Sequence, residues 1–259
     1  MRINCGYFLI FLCCLLLQGE CYATLIIDQA DIAEGQFQAN NASQANWRKV
    51  VLADVWRRQP VCRQGIWTYR IKLDHVSRQH AQGLLIYRAG NRLRIVLDDQ
   101  ELARFGNLNS DLADYSNHAL IAEFPRALPT DSKLYLQVAG DCRRYSGLSQ
   151  LHIDEIALIK DEWQRRYLIF MVSSAIIVAS CSLLALLSLS LAIWRRQLNP
   201  LLFGLASAFW ALRAWLWSWQ ELSLPYAVWF FLIDLSFGIW MSLICLLALR
   251  VNKIERVWL

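Results

Sequence analysis

The run LIFMVSSAIIVASCSLLALLSLSLAI, Leu168–Ile193, contains no charged residue. A bilayer core roughly 30 Å thick is crossed by about 20 apolar residues in helical form, so this run is long enough to span one. Two more apolar runs follow, Leu201–Trp219 and Tyr226–Leu249, broken only by Arg213 and Asp234. The expected spans are 168–194, 200–219 and 226–250, followed by a tail over 251–259. Everything else in the chain is read relative to these three helices.

At the other end, Arg2 precedes an apolar stretch, Tyr7–Leu17, and Cys21-Tyr22-Ala23 forms a small-x-small site before Thr24. This is the pattern of a secretory signal peptide over 1–23. An uncleaved anchor is the other reading. About 140 residues then remain ahead of the first span, enough for one compact domain with its own core. Between Thr24 and Arg166 there are 19 basic and 17 acidic residues, so the domain is nearly neutral. That balance lacks the clustered basic face a nucleic-acid partner needs.

Basic residues in the membrane part set the expected orientation. Arg195 and Arg196 lie between spans one and two, and Arg250, Lys253 and Arg256 follow span three, whereas the loop Gln220–Pro225 has none. By the positive-inside rule both basic segments are cytoplasmic and the N-terminal domain is outside. Trp194 suits the inner interface; Trp215, Trp217, Trp219 and Trp229 suit the outer one. Gly204, Ala208 and Ala211 form a small-residue stripe on span two that admits a close helix neighbour, while Arg213 lies on the other side and calls for partner helices.

The exported domain reads as β structure. In Ile66–Leu73, Trp67, Tyr69, Ile71 and Leu73 alternate with Thr68, Arg70 and Lys72; Arg92–Leu97 and Lys133–Val138 repeat the pattern. Period-two alternation marks strands with one buried face. Shorter candidates are Leu25–Ile27, Val50–Leu52, Gly83–Tyr87, Leu120–Phe124 and Leu151–Ile159. Many short strands separated by turns at Ala89–Asn91, Asp98–Asp99 and Gly140–Asp141 point to a two-sheet sandwich or jelly roll over 24–160. Asp161–Tyr167 reads as a short polar join to the membrane.

Trp47–Trp56 followed by Gly65–Arg70, then Gly83–Gly106 and Gly147–Ser149, resemble in order the motifs of galactose-binding-like jelly rolls. With the helices from Tyr167 to Leu249, the combination resembles the bacterial seven-transmembrane receptors with diverse intracellular signalling modules. The resemblance implies a periplasmic ligand-sensing ectodomain on an inner-membrane helical domain. It places polar ligand contacts at Arg88, Asn91 and Asn117, with carbohydrate as one ligand class. Longer family members carry seven spans and a histidine kinase or diguanylate cyclase; this sequence has three spans and neither output domain. Asp98-Asp99 stands where an Asn-Gly turn is usual, and Ser116–Leu120 replaces a Trp-Asn-x-Pro-Leu segment.

Cysteine usage adds one expectation. Cys5, Cys13, Cys14 and Cys21 lie in the signal segment, and Cys181 and Cys245 in spans. Cys62 and Cys142 remain in the exported domain, where an oxidising compartment favours a disulfide, two separate thiols being the alternative. No catalytic constellation stands out. Asp98, Asp99, Glu101, Asp111 and Asp114 have no spacing that selects a hydrolytic pair, the four histidines have no metal-ligand spacing, and no cofactor motif occurs. Trp67 on an alternating strand reads as core.

The expectation is therefore a non-enzymatic input half of a membrane receptor, with partner helices supplied by a separate output protein or by a second copy of the chain. An envelope assembly protein is the second reading, and a transport subunit using Arg213 and Asp234 the third. Arg213 lies about 10 Å from the outer end of span two, and Asp234 about 13 Å down the antiparallel next helix. A lone charge in hydrocarbon costs at least about 2.5–3.5 kcal/mol, so the two are expected to pair. Topology is directly testable. An alkaline-phosphatase fusion at Ser223 should be active and one after Leu259 inactive; the opposite pattern would invert the orientation.

Overall fold

A computed structural model describes residues 25–59, 63–73, 82–125, 132–141 and 146–252. The signal segment and the Cys62–Cys142 pairing lie outside the described residues. Ten strands form two antiparallel sheets. The larger sheet has the order β3 (Arg48–Val51), β2 (Gln29–Glu34), β5 (Gln64–Lys72), β10 (Lys133–Asp141), β7 (Arg92–Leu97) and β8 (Gln100–Phe105). The smaller has β1 (Leu25–Ile27), β12 (Leu151–Glu155), β6 (Gln82–Ile86) and β9 (Leu120–Glu123). A small clasp pairs β4 (Asp54–Val55) with β11 (Gly147–Leu148).

Alternation decides which side chains meet between the sheets. Ile32, Tyr69, Ile71, Leu93, Ile95, Leu134, Leu136 and Val138 from the larger sheet pack against Leu84, Ile86, Leu120, Leu151 and Ile153 from the smaller in one core. Each such aliphatic side chain contributes about 1.5–3 kcal/mol by leaving water. Trp67 belongs to this core as expected, with Trp56 against its ring edge at 6.5 Å. The outer face of the larger sheet is also covered. Thr68, predicted on the solvent side, is fully buried because its hydroxyl donates to the Gly35 carbonyl at 2.6 Å and accepts from the Phe37 amide at 3.1 Å. Gln137 donates to the Phe37 carbonyl at 2.9 Å, fixing the same strap across the sheet.

A buried polar knot closes one end of the sandwich. The Asp54 carboxylate, 2% exposed, accepts hydrogen bonds from Gln59 at 2.7 Å, from the Tyr69 hydroxyl at 2.7 Å and from Arg63. Trp56 donates to the same Tyr69 oxygen at 2.8 Å. Burial and the adjacent Asp54 charge hold the Tyr69 phenol well above its ordinary range, so it stays a donor. Gly147, at φ +132°, passes so close that a Cβ there would sit 1.9 Å from the Asp54 carbonyl oxygen, which makes glycine obligatory at this crossing.

Three helices follow: α1 (Ile156–Arg195), α2 (Leu198–Trp217) and α3 (Tyr226–Val251), all long and apolar enough to cross a membrane. The structure differs from expectation at the start of α1. Asp161–Tyr167 is helical, and the strand expected to reach Ile159 stops at Glu155. The physical reason is local: Glu162 pairs with Arg165 and Arg166 at i,i+3 and i,i+4, spacings that support a helix. Gly204 of the small-residue stripe serves α1, since a Cβ on it would lie 2.8 Å from Leu189 Cγ. Trp229, expected in the outer interfacial belt, is 1% exposed and donates to the Leu216 carbonyl at 3.2 Å inside the helix pair.

The Asp54 knot yields a stability prediction. Asp54→Ala strips the buried Tyr69 and the half-buried Arg63 and Gln59 of their acceptor and should cost about 3–5 kcal/mol, while Asp54→Asn, keeping shape and one acceptor, should cost less. Chemical denaturation of the sandwich within the full chain would read both; equal small losses would show that the knot contributes little.

Candidate functional site

The sandwich meets the helices through two attachments. The first is continuous chain, where β12 runs directly into α1. The outward face of the smaller sheet is flattened at Gly83, and there Ile156 and Ile159 settle; a Cβ on Gly83 would lie 2.6 Å from Ile156 Cδ1. Trp163 donates to the Ala119 carbonyl at 2.9 Å, and Lys160 pairs with Glu123 at 2.6 Å. The first turns of α1 are thus laid against the sheet before the helix enters its charge-free stretch.

The second attachment joins residues a hundred positions apart. The segment 111–118 pairs with the α2–α3 connection: Asp114 N donates to Gln220 O at 2.9 Å, Leu222 N to Leu112 O at 2.9 Å and Tyr226 N to Asp111 O at 3.0 Å. Ala113 and Glu221 form a β-bridge. Side chains reinforce it. The Tyr115 hydroxyl donates to Glu221 at 2.5 Å, and Gln220 Nε2 lies 3.0 Å from His118 Nδ1. Burial raises the Tyr115 phenol well above its ordinary value, with the Glu221 hydrogen bond adding to it. Burial lowers the His118 imidazole, partly offset by Asp114.

Between these attachments lies a cavity of about 530 Å³. Tyr87, Asn117 and His118 from the sandwich form one side, and Glu162, Arg166 and Phe170 of α1 the other. The Arg166 guanidinium lies 4.1 Å over the Tyr87 ring, and the His118 ring packs edge-on to Phe170 at 4.8 Å. Glu162 bridges Arg165 (3.1 Å from Nε) and Arg166.

The structure sorts the residues singled out in the sequence. Arg88 and Asn117 come together, the guanidinium donating to the amide oxygen at 3.2 Å, and Asn117 lines the cavity. Asn91 is different. It is 3% exposed and donates to Asp114 at 2.9 Å, so its amide is committed to holding the 111–118 segment in place. Arg213 sits against rings, its guanidinium 4.9 Å from the Trp217 and Phe237 centroids and 5.8 Å from Trp210. Asp234 lies on an exposed face of α3, and no ion pair among the described residues joins it to Arg213. Helix rotation, as well as depth, sets which way each charge faces, and it turns Asp234 outward.

The turn carboxylates are structural. Asp98 accepts from the Lys133 amide at 2.9 Å, Asp99 from the Asn40 amide at 3.2 Å, and Glu101 holds Arg94 and Arg104. Among the described residues no group of three His, Cys, Asp or Glu is placed to hold a metal. What the sequence reading missed is the pairing of 111–118 with 220–226 and the cavity beside it. The visible signal for the latter was the Glu162, Arg165, Arg166 triplet at helical spacing.

No protein-family model and no curated protein matches the sequence. Solved structures that resemble it include a glycosyl hydrolase family 2 member from Bacteroides cellulosilyticus (13% identity, TM-score 0.40, covering 51% of this chain and 20% of that one). Others are a GH2 beta-galacturonidase from Eisenbergiella tayi (9%, 0.38, 53% and 26%) and a Faecalibacterium prausnitzii beta-glucuronidase (14%, 0.35, 48% and 22%). The chain thus spans about a quarter or less of those enzymes, and likeness at this level carries no argument about activity.

A pH dependence follows from His118. Its native value is lowered from the ordinary 6.5, so the unfolded chain binds the proton first as pH falls. The contribution is complete above about pH 6.5 and is lost as pH drops toward the native value, by at most about 1.4 kcal/mol per pH unit. Thermal unfolding between about pH 7 and pH 5 should therefore fall more steeply for the wild type than for His118→Gln. His152, whose value burial and Arg166 also lower, is common to both proteins, so the difference between the curves isolates His118. Parallel curves would remove His118 from the attachment.

Proposed function

We propose that this chain is the input half of a bacterial inner-membrane signal-transduction receptor, a periplasmic jelly roll that biases the arrangement of transmembrane helices. The observation that carries the reading is the double attachment, β12 running into α1 and 111–118 pairing with the α2–α3 connection. A domain tethered by one linker moves without consequence for the membrane. One held at two separate points moves the helices relative to each other whenever its own shape or seating changes. The cavity lies between the two points, so an occupant that favours one seating shifts the population of helix arrangements. The domain is periplasmic and the helix ends at Arg195 and Arg250 are cytoplasmic in this reading, which rests on the placement of basic residues. The exposed apolar faces of α1 and α3 suit output helices from another protein or a second copy.

The test is two-state behaviour at the cytoplasmic end. Spin labels replacing Trp194 and Arg250, in a background lacking the native cysteines and reconstituted in phosphatidylcholine nanodiscs, would report the α1–α3 separation. A receptor should show two separations whose populations shift when Tyr115→Phe and Glu221→Gln weaken the second attachment. A single distribution, unchanged by those substitutions, is what a passive envelope anchor gives and would overturn the receptor reading.

A further inference from the structure

We infer that the cavity between the sandwich and α1 binds the anionic phosphate headgroup of an outer-leaflet phospholipid, with one acyl chain lying along α1. The inference deepens the receptor reading and rests on it for orientation. Its chemistry rests on the cavity wall, which changes character along its length. At the upper end Arg165 and Arg166 face Glu162, two guanidinium groups against one carboxylate on the cavity wall, with Asp161 acting on Arg165 from outside it. Arg88 adds a third guanidinium just beyond Asn117. Arginine forks match phosphate oxygens bidentately, and Glu162 with the Tyr87 ring holds the forks in position before any ligand arrives.

Below Arg166 the wall turns apolar at once. Tyr167, Ile169 and Phe170 line it down to Ser173, about 10 Å along the helix axis from Arg166. This lower part belongs to the charge-free stretch that begins at Leu168. The cavity therefore straddles the plane where headgroups give way to hydrocarbon. A volume of about 530 Å³ falls in the range that encloses a ligand of many atoms. A bare phosphate would satisfy the arginines but leave the apolar two-turn extension without an occupant. A phosphate carrying an acyl chain fills both halves. Position favours the same choice, because lipid is the one phosphate ester present at this depth at high local concentration. Bound there, it contacts α1 and residues 117–119 of the sandwich together, and so reports on how one is seated against the other.

Native mass spectrometry of the full chain, released from nanodiscs of equal phosphatidylcholine and phosphatidylglycerol, counts the lipid retained. The wild type should keep one phosphatidylglycerol, enriched about tenfold over phosphatidylcholine. Arg165→Gln with Arg166→Gln should abolish the enrichment. Ser173→Trp, at an exposed lipid-side position that leaves both arginines in place, should reduce retention by blocking the apolar end. An unchanged melting temperature for Ser173→Trp shows that any loss is local. Equal retention of both lipids by the wild type, or enrichment that survives all substitutions, overturns the inference. Displacement of phosphatidylglycerol by millimolar inorganic phosphate, with equal thermal stabilisation by phosphate in phosphatidylcholine discs, would make it a free-anion site and overturn the lipid assignment. The spin-label distances are measured in discs without phosphatidylglycerol, so the receptor reading and the lipid site fail independently.

Discussion

The seating of Ile156 and Ile159 on Gly83 is the contact from which the rest of the molecule takes its geometry. A sheet normally presents a ridged surface, and a helix lying on it stands off by the height of the side chains beneath. Removing one side chain lets the first turn of α1 drop onto the strand, where Ile159 is 3% exposed. That single close approach fixes the angle at which α1 leaves the sandwich. Because the helix continues without a break for 40 residues, the same angle is carried through the apolar stretch. A flexible join would have lost it within a few residues.

The second attachment makes sense only given the first. Once α1 is anchored, α2 returns beside it through close packing at Gly204, and the connection after α2 arrives under the sandwich near 111–118. Backbone groups at that point need hydrogen-bond partners. Pairing of Asp114, Leu222 and Tyr226 with partners across the junction satisfies them. Asn91 and Asp114 then matter at a distance from any ligand. Their mutual hydrogen bond shapes the segment that receives the loop, and Ser116 N, donating to the same Asp114 oxygen at 3.1 Å, tightens it further. The sandwich is seated on a helical hairpin, with contacts at both ends of the seat.

How much of this was legible depended on whether the determining interaction was local. The strand Arg92–Leu97 and the apolar helices coincide with their sequence patterns because alternation and charge-free length are properties of contiguous residues. β2 was missed because its evident signal, Ala30 and Ile32, is brief and interrupted by Asp31. What stabilises it is the cross-strand pair of Asp31 with Arg70 at 2.7 Å, 39 residues away. β8 was hidden by Glu101 and Arg104, whose charges pair with each other along the exposed edge. Asn91 looked like a ligand contact through family resemblance. Only the burial given by Asp114, 23 residues on, reveals it as structural. The cavity was illegible for the same reason: its two walls are separated by more than 40 residues, and periodicity says nothing about which faces meet.

Within the helices, the two charges meet their surroundings in different ways, and the difference bears on assembly. Arg213 lies among rings of α2 and α3, whose aromatic faces offer negative charge density to its guanidinium. Asp234 is on the outside of α3, and one turn along the same face Gly238 has no heavy atom within 4 Å of where its Cβ would be. An acidic side chain on an otherwise apolar helix face, beside a glycine that leaves room for a close neighbour, is where a polar group from a further helix would pack most favourably. The two charges therefore play different parts: Arg213 ties α2 to α3, and Asp234 marks a side of α3 that the other two helices leave uncovered.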